Sequence, residues 1–341
     1  MKALVLEKVS NFDINPEPLI LKEIPEPTPS DNDLLLKISA CGVCHTEIDE
    51  IEGRTPPPVF PMILGHQAVG KVIGKGKNVS KFDLGDRVGV GWFFSSCGKC
   101  EFCLRGDENL CDEFKATGRD VFGGYAEYMV VPETSAFFIP DVFSDEESAP
   151  LFCAGAIGYR SLKLSSIKDG DNLGLTGFGA SGHLVLKLVK NKFPNTKIFV
   201  FARSEKEREF AVQLGAYWSG DTFEESPEKL NAIIDTTPVW TPVVKALENL
   251  KQGGRLVINA IRKEDIDKNF LMNIDYSKHL WLEKEIKSVA NVSPSDIKDF
   301  LKIAGVIPIK PEYQTYKLED ANLALRELKE RKIRGAKVLI I

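Results

Sequence analysis

The stretch from Asp171 to Asn191, DNLGLTGFGASGHLVLKLVKN, constrains the fold more than any other part of this 341-residue chain. A short apolar run enters a glycine turn, and apolar residues then recur at helical spacing, with Gly177, Gly179 and Gly182 in the order G-x-G-x-x-G. The first glycine permits the tight turn, the second lets backbone approach a pyrophosphate, and the third allows close helix–strand packing at an anion-favouring helix start. A bare G-x-G-x-x-G arises often by chance, but here a strand precedes it, a helix follows, and a second strand, KIFVFA, completes a βαβ unit. Gly177, Gly179, Ala180 and Gly182 are therefore candidate dinucleotide contacts. The alternation continues through the helices EKEREFAVQLGA and TPVVKALENLKQGG and the strands NAIIDTT, RLVINAI and EIKSVAN. This pattern predicts a doubly wound parallel sheet of α/β class over residues 154–290.

The part before it reads differently. Short β-rich runs at 2–9, 19–24, 33–40, 67–74 and 86–91, separated by Gly-Lys and Gly-Asp turns, predict an antiparallel β-rich domain over 1–153. Gly53–Gly65 carries four prolines and cannot form a regular helix, so its apolar residues are expected to line a pocket. The tail, with helices at SPSDIKDFLKIA and DANLALRELKERK and the strand AKVLII, has no nucleotide motif and is expected to return to the first domain, making it 1–153 plus 291–341.

Cysteine spacing carries the metal chemistry. Cys97, Cys100, Cys103 and Cys111 form a C-x2-C-x2-C-x7-C run within a lobe near 95–113, and four thiolates at this spacing can close a tetrahedral shell around Zn²⁺. A closed shell leaves no vacancy, so the site would be structural; the rival, an iron–sulfur centre, lacks its flanking Cys-Pro signature here. Cys44 in ACGVCHTEID, His66 in LGHQAVG and Cys153 in APLFCAGAIGY would instead make a three-ligand set with one open position, the arrangement of a catalytic zinc. Each of these residues alone reads more simply as a packed Cys or a satisfied His; the β-strand and glycine-turn settings favour the ligand reading. The formal net charge of −5 gives no general basic field for nucleic acid. No apolar run approaches roughly eighteen residues and no secretory leader is visible, so no membrane segment and a cytoplasmic location are expected.

Taken together, GVCHTEID, Gly65–Gln67 (GHQ), GDRVGVGW, CGKCEFCLRGDENLC, GGYAEY, CAGAIGY, GFGASG and RGAKVLI resemble the zinc-dependent alcohol dehydrogenases of the medium-chain dehydrogenase/reductase superfamily over essentially the whole chain. The resemblance implies a GroES-like β-rich catalytic domain, a Rossmann domain, and a cleft holding nicotinamide beside a catalytic zinc. It assigns Cys44, His66 and Cys153 to that zinc and Cys97, Cys100, Cys103 and Cys111 to a structural one, giving two Zn²⁺ per chain. Thr46 falls where the family has a Ser or Thr contacting the substrate hydroxyl, Glu47 on the acid that hydrogen-bonds the liganding His66, and His45 near the cofactor phosphates. Trp92 and Phe93 match substrate-pocket positions, and equally read as core aromatics.

Two residues depart from the family. Asp49 stands where well-known members end a proton relay with His, and reads equally as a solvated loop acid. Gln67 replaces a Glu behind the zinc and is the poorer ligand. The implied reaction interconverts alcohols with aldehydes or ketones by hydride transfer, the bulk of Trp92 and Phe93 points to small or slender primary alcohols, and a homo-oligomer, dimer or tetramer, is the expected working form. A zinc-free quinone or enone reductase of the same superfamily and a non-catalytic dinucleotide-binding protein are the alternatives, disfavoured by the intact ligand set beside Thr46. Cofactor choice turns on the end of the second Rossmann strand. NAD-preferring folds carry an acid about twenty residues past the glycines, and this chain has Ala202 there, followed by Arg203 and Ser204, a guanidinium and a hydroxyl suited to a 2′-phosphate. NADP(H) is therefore expected over NAD(H), against the reading in which Arg203 is solvated and Glu205 takes the acid's place.

Overall fold

The computed structural model describes residues 1–307, 309–332 and 334–341. Its contacts divide the chain into Met1–Ala156 with Val292–Ile341, and Ile157–Asn291.

The first unit begins with β1 (Lys2–Leu6), β2 (Leu19–Glu23) and β3 (Asp33–Val43), then a seven-residue helix, α1 (His45–Ile51). There follow β4 (Met62–Ile63), β5 (Ala68–Lys75), β6 (Arg87–Val90), β7 (Phe93–Ser95), α2 (Glu101–Leu104), β8 (Lys115–Ala116), β9 (Tyr128–Pro132), β10 (Ala136–Phe138) and α3 (Asp145–Ser148). Strand β3 is the organising element: it pairs antiparallel with β5 and with β9, and its end delivers Cys44 to the start of α1. Alternate residues Leu34, Leu36 and Ile38 point into a core shared with Leu4, Leu6, Val72, Val88 and Val131, as period-2 burial requires. The proline-rich segment behaves differently from the sequence expectation. Met62, Ile63 and Leu64 enter this core through the β1–β4 pairing, while Val59 is exposed, so core packing takes the residues expected to line a pocket.

Helix α4 (Ala154–Ser165) follows, and the second unit then alternates β11 (Asn172–Thr176), α5 (Ala180–Lys192), β12 (Lys197–Phe201), α6 (Glu205–Gln213), β13 (Trp218–Gly220), β14 (Leu230–Asp235), α7 (Thr241–Asn249), β15 (Leu250–Ile258) and β16 (Glu285–Ser288). All six strands are parallel in the order β13-β12-β11-β14-β15-β16, a doubly wound sheet whose order reverses between β11 and β14. Near-continuous burial of IFVF in β12 and AIID in β14 is what a sheet covered on both faces demands.

The tail supplies α8 (Pro294–Val306), β17 (Tyr313–Lys317), α9 (Ala321–Lys329) and β18 (Ala336–Ile340). Strand β18 pairs antiparallel with β3, giving the sheet path β10-β6-β5-β3-β18-β17 with β9 also on β3. This unit, expected to be GroES-like, is largely antiparallel; the β17–β18 pair, joined through α9, is parallel. Among the described residues no helix is long and apolar enough to cross a membrane.

Candidate active site

Helix α1 starts on Cys44, whose backbone N–H donates to Glu47 Oε2 at 2.8 Å. A Glu three residues into a helix commonly reaches back in this way. Here the same carboxylate also places Oε1 2.6 Å from His66 Nδ1, in a pair that is essentially unexposed. With Nδ1 facing the Glu47 carboxylate, Nε2 is the ring nitrogen left for a ligand, and it too is buried. His66 is presented from the turn before β5, where Gly65 has φ +95° and a side chain would collide with the Tyr125 ring, so only glycine fits. Cys153 follows a turn of 3-10 helix, Ala149–Phe152.

These elements bring Cys44 Sγ, a His66 ring nitrogen and Cys153 Sγ within 4.8 Å of one another. The two sulfurs are 3.8 Å apart, far beyond the ~2.05 Å of a disulfide. Thr46 Oγ1 lies 3.6 Å from Cys44 Sγ. Charge follows geometry: the Cys153 thiol beside it, against the opposing effect of burial and aided by His66, holds Cys44 well below the usual thiol range. Cys153, sharing the proton, is pushed well above it by Cys44 and by burial. Burial works against charging His66, yet Glu47 and Cys44 raise its pKa well above the ordinary value. A half-buried thiolate, a second thiol and an imidazole whose tautomer is set by a carboxylate fit a zinc ion with one open position.

The neighbouring predicted residues divide. Asp49 is 2 % exposed, which removes the solvated-loop reading: Arg54 Nε sits 2.5 Å from its Oδ1 and His45 Nε2 3.8 Å from the same atom. Gln67 is buried with its amide packed against Gly42, where a Cβ would lie 2.5 Å from Oε1. Trp92 and Phe93 are both buried, their rings 5.2 and 5.8 Å from that of Phe114. Sequence reasoning missed Arg54, the partner that fixes Asp49, and Glu50, which is fully buried; burial, and then the Glu47 charge, push its carboxyl well above the usual range. Its signal was present as an acidic residue on the face of α1 that must turn inward, since every residue from Thr46 to Ile51 is buried.

Cys97, Cys100, Cys103 and Cys111 likewise gather their sulfurs within 4.8 Å. The Cys97–Cys103 and Cys100–Cys103 separations are 3.8 and 3.5 Å, and Cys100 N donates to Cys97 Sγ at 3.3 Å. Backbone N–H groups of Lys99 and Cys100 lower the Cys97 pKa to about 6. Four converging sulfurs with amide donors aimed at them fit a closed thiolate shell.

In the second unit Gly177 ends β11 with φ +76°, and a Cβ there would lie 2.9 Å from Thr236 Oγ1. Gly182 packs closely over the carbonyl of Gly177, whereas Gly179 faces open space, leaving its backbone approachable at the start of α5, whose first residue is Ala180. Such a turn fits a pyrophosphate. Beyond β12, Ala202 is buried, and Arg203 and Ser204 are exposed, with no capping bond from the Ser204 hydroxyl to α6. Arg208 Nη1 donates to the carbonyls of Ala202 and Arg203 at 2.8 and 3.0 Å, so it braces this turn.

The family model for an alcohol dehydrogenase GroES-like domain matches residues 30–141. The Mycobacterium tuberculosis protein named "Probable alcohol dehydrogenase AdhA" is 38% identical over 346 residues, covering 100% of this chain and 97% of that protein. An alcohol dehydrogenase of Geobacillus stearothermophilus is 32% identical over 94% of this chain and 95% of its own length. In fold, the alcohol dehydrogenase structure from the hyperthermophilic archaeon Aeropyrum pernix superposes with a TM-score of 0.88 at 23% identity, covering 100% of this chain and 99% of that one. With the two folds and the converged cysteine and histidine side chains, this full-length identity establishes that the chain belongs to the zinc-type alcohol dehydrogenases of the medium-chain dehydrogenase/reductase superfamily.

Proposed function

We propose that the protein is a zinc-dependent, NADP(H)-preferring alcohol dehydrogenase that interconverts small alcohols with aldehydes or ketones. The observation that carries the reading is the approach of Cys44, His66 and Cys153 donor atoms to within 4.8 Å, with the Thr46 hydroxyl beside them. Cys44, His66 and Cys153 would hold a zinc ion whose Lewis acidity would stabilise charge on a substrate oxygen, and the Gly177–Gly182 turn would hold the pyrophosphate of a dinucleotide whose nicotinamide would exchange the hydride. Thr46 Oγ1 accepts the proton that leaves the alcohol hydroxyl and passes its own proton onward. Glu47 keeps His66 in the tautomer that frees Nε2, and burial of Thr46–Ile51 in α1 helps exclude competing water from the ligands. Asp49 is tied to Arg54 and faces His45, which supports a positioning role for it toward His45, the residue assigned to the cofactor phosphates. Gln67, a neutral amide turned toward Gly42, is assigned a packing role. Trp92 and Phe93 are assigned to the wall that narrows the pocket to slender substrates.

Cys97, Cys100, Cys103 and Cys111 hold a second, structural zinc in this reading. NADP(H) preference is supported by the absence of an acid at Ala202 and by the exposed Arg203 and uncommitted Ser204 hydroxyl after β12. The homo-oligomeric state and cytoplasmic location expected from the sequence belong to the same proposal.

The test is a panel of primary and secondary alcohols and of aldehydes, assayed with NADP(H) and NAD(H) on protein of measured zinc content. Two zincs per chain and alcohol oxidation that a chelator abolishes and added zinc restores are expected. Turnover of quinones or enones by metal-free protein would instead identify the zinc-free reductase, and cofactor binding without turnover of any substrate the non-catalytic alternative.

A further inference from the structure

Strands β11 and β14 flank the reversal in sheet order and end together, with Thr176 opposite Asp235 in register. At this edge lies a buried ion pair that the mechanism above does not use: the Lys263 side chain is 7 % exposed and that of Asp235 is unexposed. The Asp235 carboxylate accepts from Thr176 Oγ1 at 2.5 Å, from Thr237 Oγ1 at 2.7 Å and from Thr237 N at 3.3 Å, as well as from Lys263. The Lys263 ammonium also donates to the Thr237 carbonyl at 2.6 Å and the Val239 carbonyl at 3.0 Å, which occupies all three of its donors. Residues 235–239 are thus held from below by Thr176 and from the side by a lysine that arrives from the chain beyond β15.

That loop backs the glycine turn. Thr236 N and Oγ1 donate to the Thr176 carbonyl at 3.0 and 2.9 Å, and a Cβ on Gly177 would lie 2.9 Å from both Thr236 Oγ1 and Thr237 Cγ2. Displacing the loop removes the surface against which Gly177 takes its positive φ. We propose that Lys263 is a positioning residue for the dinucleotide: through Asp235 and the carbonyls of Thr237 and Val239 it fixes the loop 235–239 in the conformation that supports the phosphate-binding turn. The inference rests on the cofactor reading given above. It requires Lys263 as a three-way hydrogen-bond donor and not only as a neutralising charge, and the two roles separate experimentally.

The experiment is titration of zinc-loaded protein with NADPH, followed by quenching of tryptophan fluorescence. In Lys263→Met the binding-competent loop is expected to fall to about a tenth of the population, raising the NADPH Kd about tenfold. The rise in cofactor KM should exceed any fall in kcat, and the Thr236 and Thr237 amides should exchange hydrogen faster. In the double variant Lys263→Met/Asp235→Asn the buried charge is removed but the ties to the two carbonyls stay lost, so the Kd is expected to remain raised. An NADPH Kd in Lys263→Met equal to the parent's, or a double variant restored to the parental Kd, would overturn the proposal, the latter in favour of charge balance alone. Should Lys263→Met not fold, Lys263→Arg keeps the charge but replaces the three-way ammonium donor by a planar fork that does not match the Asp235 carboxylate and the Thr237 and Val239 carbonyls. An unchanged Kd there overturns the proposal, and a Kd raised with intact melting supports it. A parent that binds neither NADPH nor NADH takes down the cofactor reading and this inference with it, whereas a parent that binds while the variants are unaltered overturns only the clamp.

Discussion

Glu47 is the residue at which the sequence-local helix start and the metal site meet, and Glu47→Gln tests both. The carboxylate has two acceptor oxygens in use, Oε2 for the Cys44 N–H at 2.8 Å and Oε1 beside His66 Nδ1 at 2.6 Å. Glutamine keeps the shape but only one acceptor. If its oxygen stays on the Cys44 N–H, its NH₂ faces His66, Nδ1 must become the acceptor, and the ring proton moves to Nε2, the nitrogen needed by the metal. If its oxygen turns to His66, the helix loses its cap, a loss of about 1 kcal/mol. The first outcome is the milder one for the fold and the harsher one for the metal. Loss of a group that orients a liganding histidine lowers metal affinity by about 10–100-fold, or about 1.4–2.8 kcal/mol. We expect the variant to lose zinc from this site to a competing chelator at correspondingly lower chelator concentration, with melting changed by no more than the cap accounts for. Zinc affinity within about twofold of the parent would refute the view that Glu47 sets the His66 tautomer.

Three further outcomes follow from the same geometry. Cys103→Ser opens the four-sulfur cluster, and we expect Tm to fall by about 5 °C or more before activity is affected, as differential scanning calorimetry would register; lost activity at unchanged Tm would contradict a structural role. In metal-free protein His66 and Cys153 both have raised pKa values and so hold protons that zinc must displace; zinc affinity should therefore weaken as pH falls from 8 toward 6, and pH-independent chelator competition over that range would refute this. Arg203→Ala should lower kcat/KM for NADPH by about 10–100-fold, the loss of one charged hydrogen bond, with little change for NADH; an NADH-preferring parent would sink the assignment.

Much of this was legible in the residues because each signal was local. The glycine turn announced itself by spacing, and the parallel sheet by buried apolar runs such as IFVF and AIID. The cysteine lobe lies within fifteen residues, so spacing alone brought its sulfurs together. Cys44, His66 and Cys153 are far apart in sequence and meet through the pairing of β3 and β5 and the turn at 149–152; periodicity does not encode such a meeting, and resemblance supplied it. Strand β13, of three residues, was too short to carry a pattern, and β17, YQTYK, is an exposed edge strand with no apolar alternation to reveal it. Acidic residues gave a mixed signal in α1, where Glu47, Asp49 and Glu50 are all buried: EIDE has the composition of a solvated loop, yet His66 draws in Glu47 and Arg54 pairs with Asp49. Lys263 and Asp235 gave no signal, because their pairing is set by where two strands of a sheet end.

The most direct test of the account is metal content and alcohol oxidation in Cys44→Ser, measured on the same preparation. The account predicts one zinc per chain in place of two, no alcohol oxidation, and NADPH binding at parental affinity, since the ligand belongs to the first unit and the glycine turn to the second. Alcohol oxidation at the parental rate by protein that has lost that zinc would contradict it.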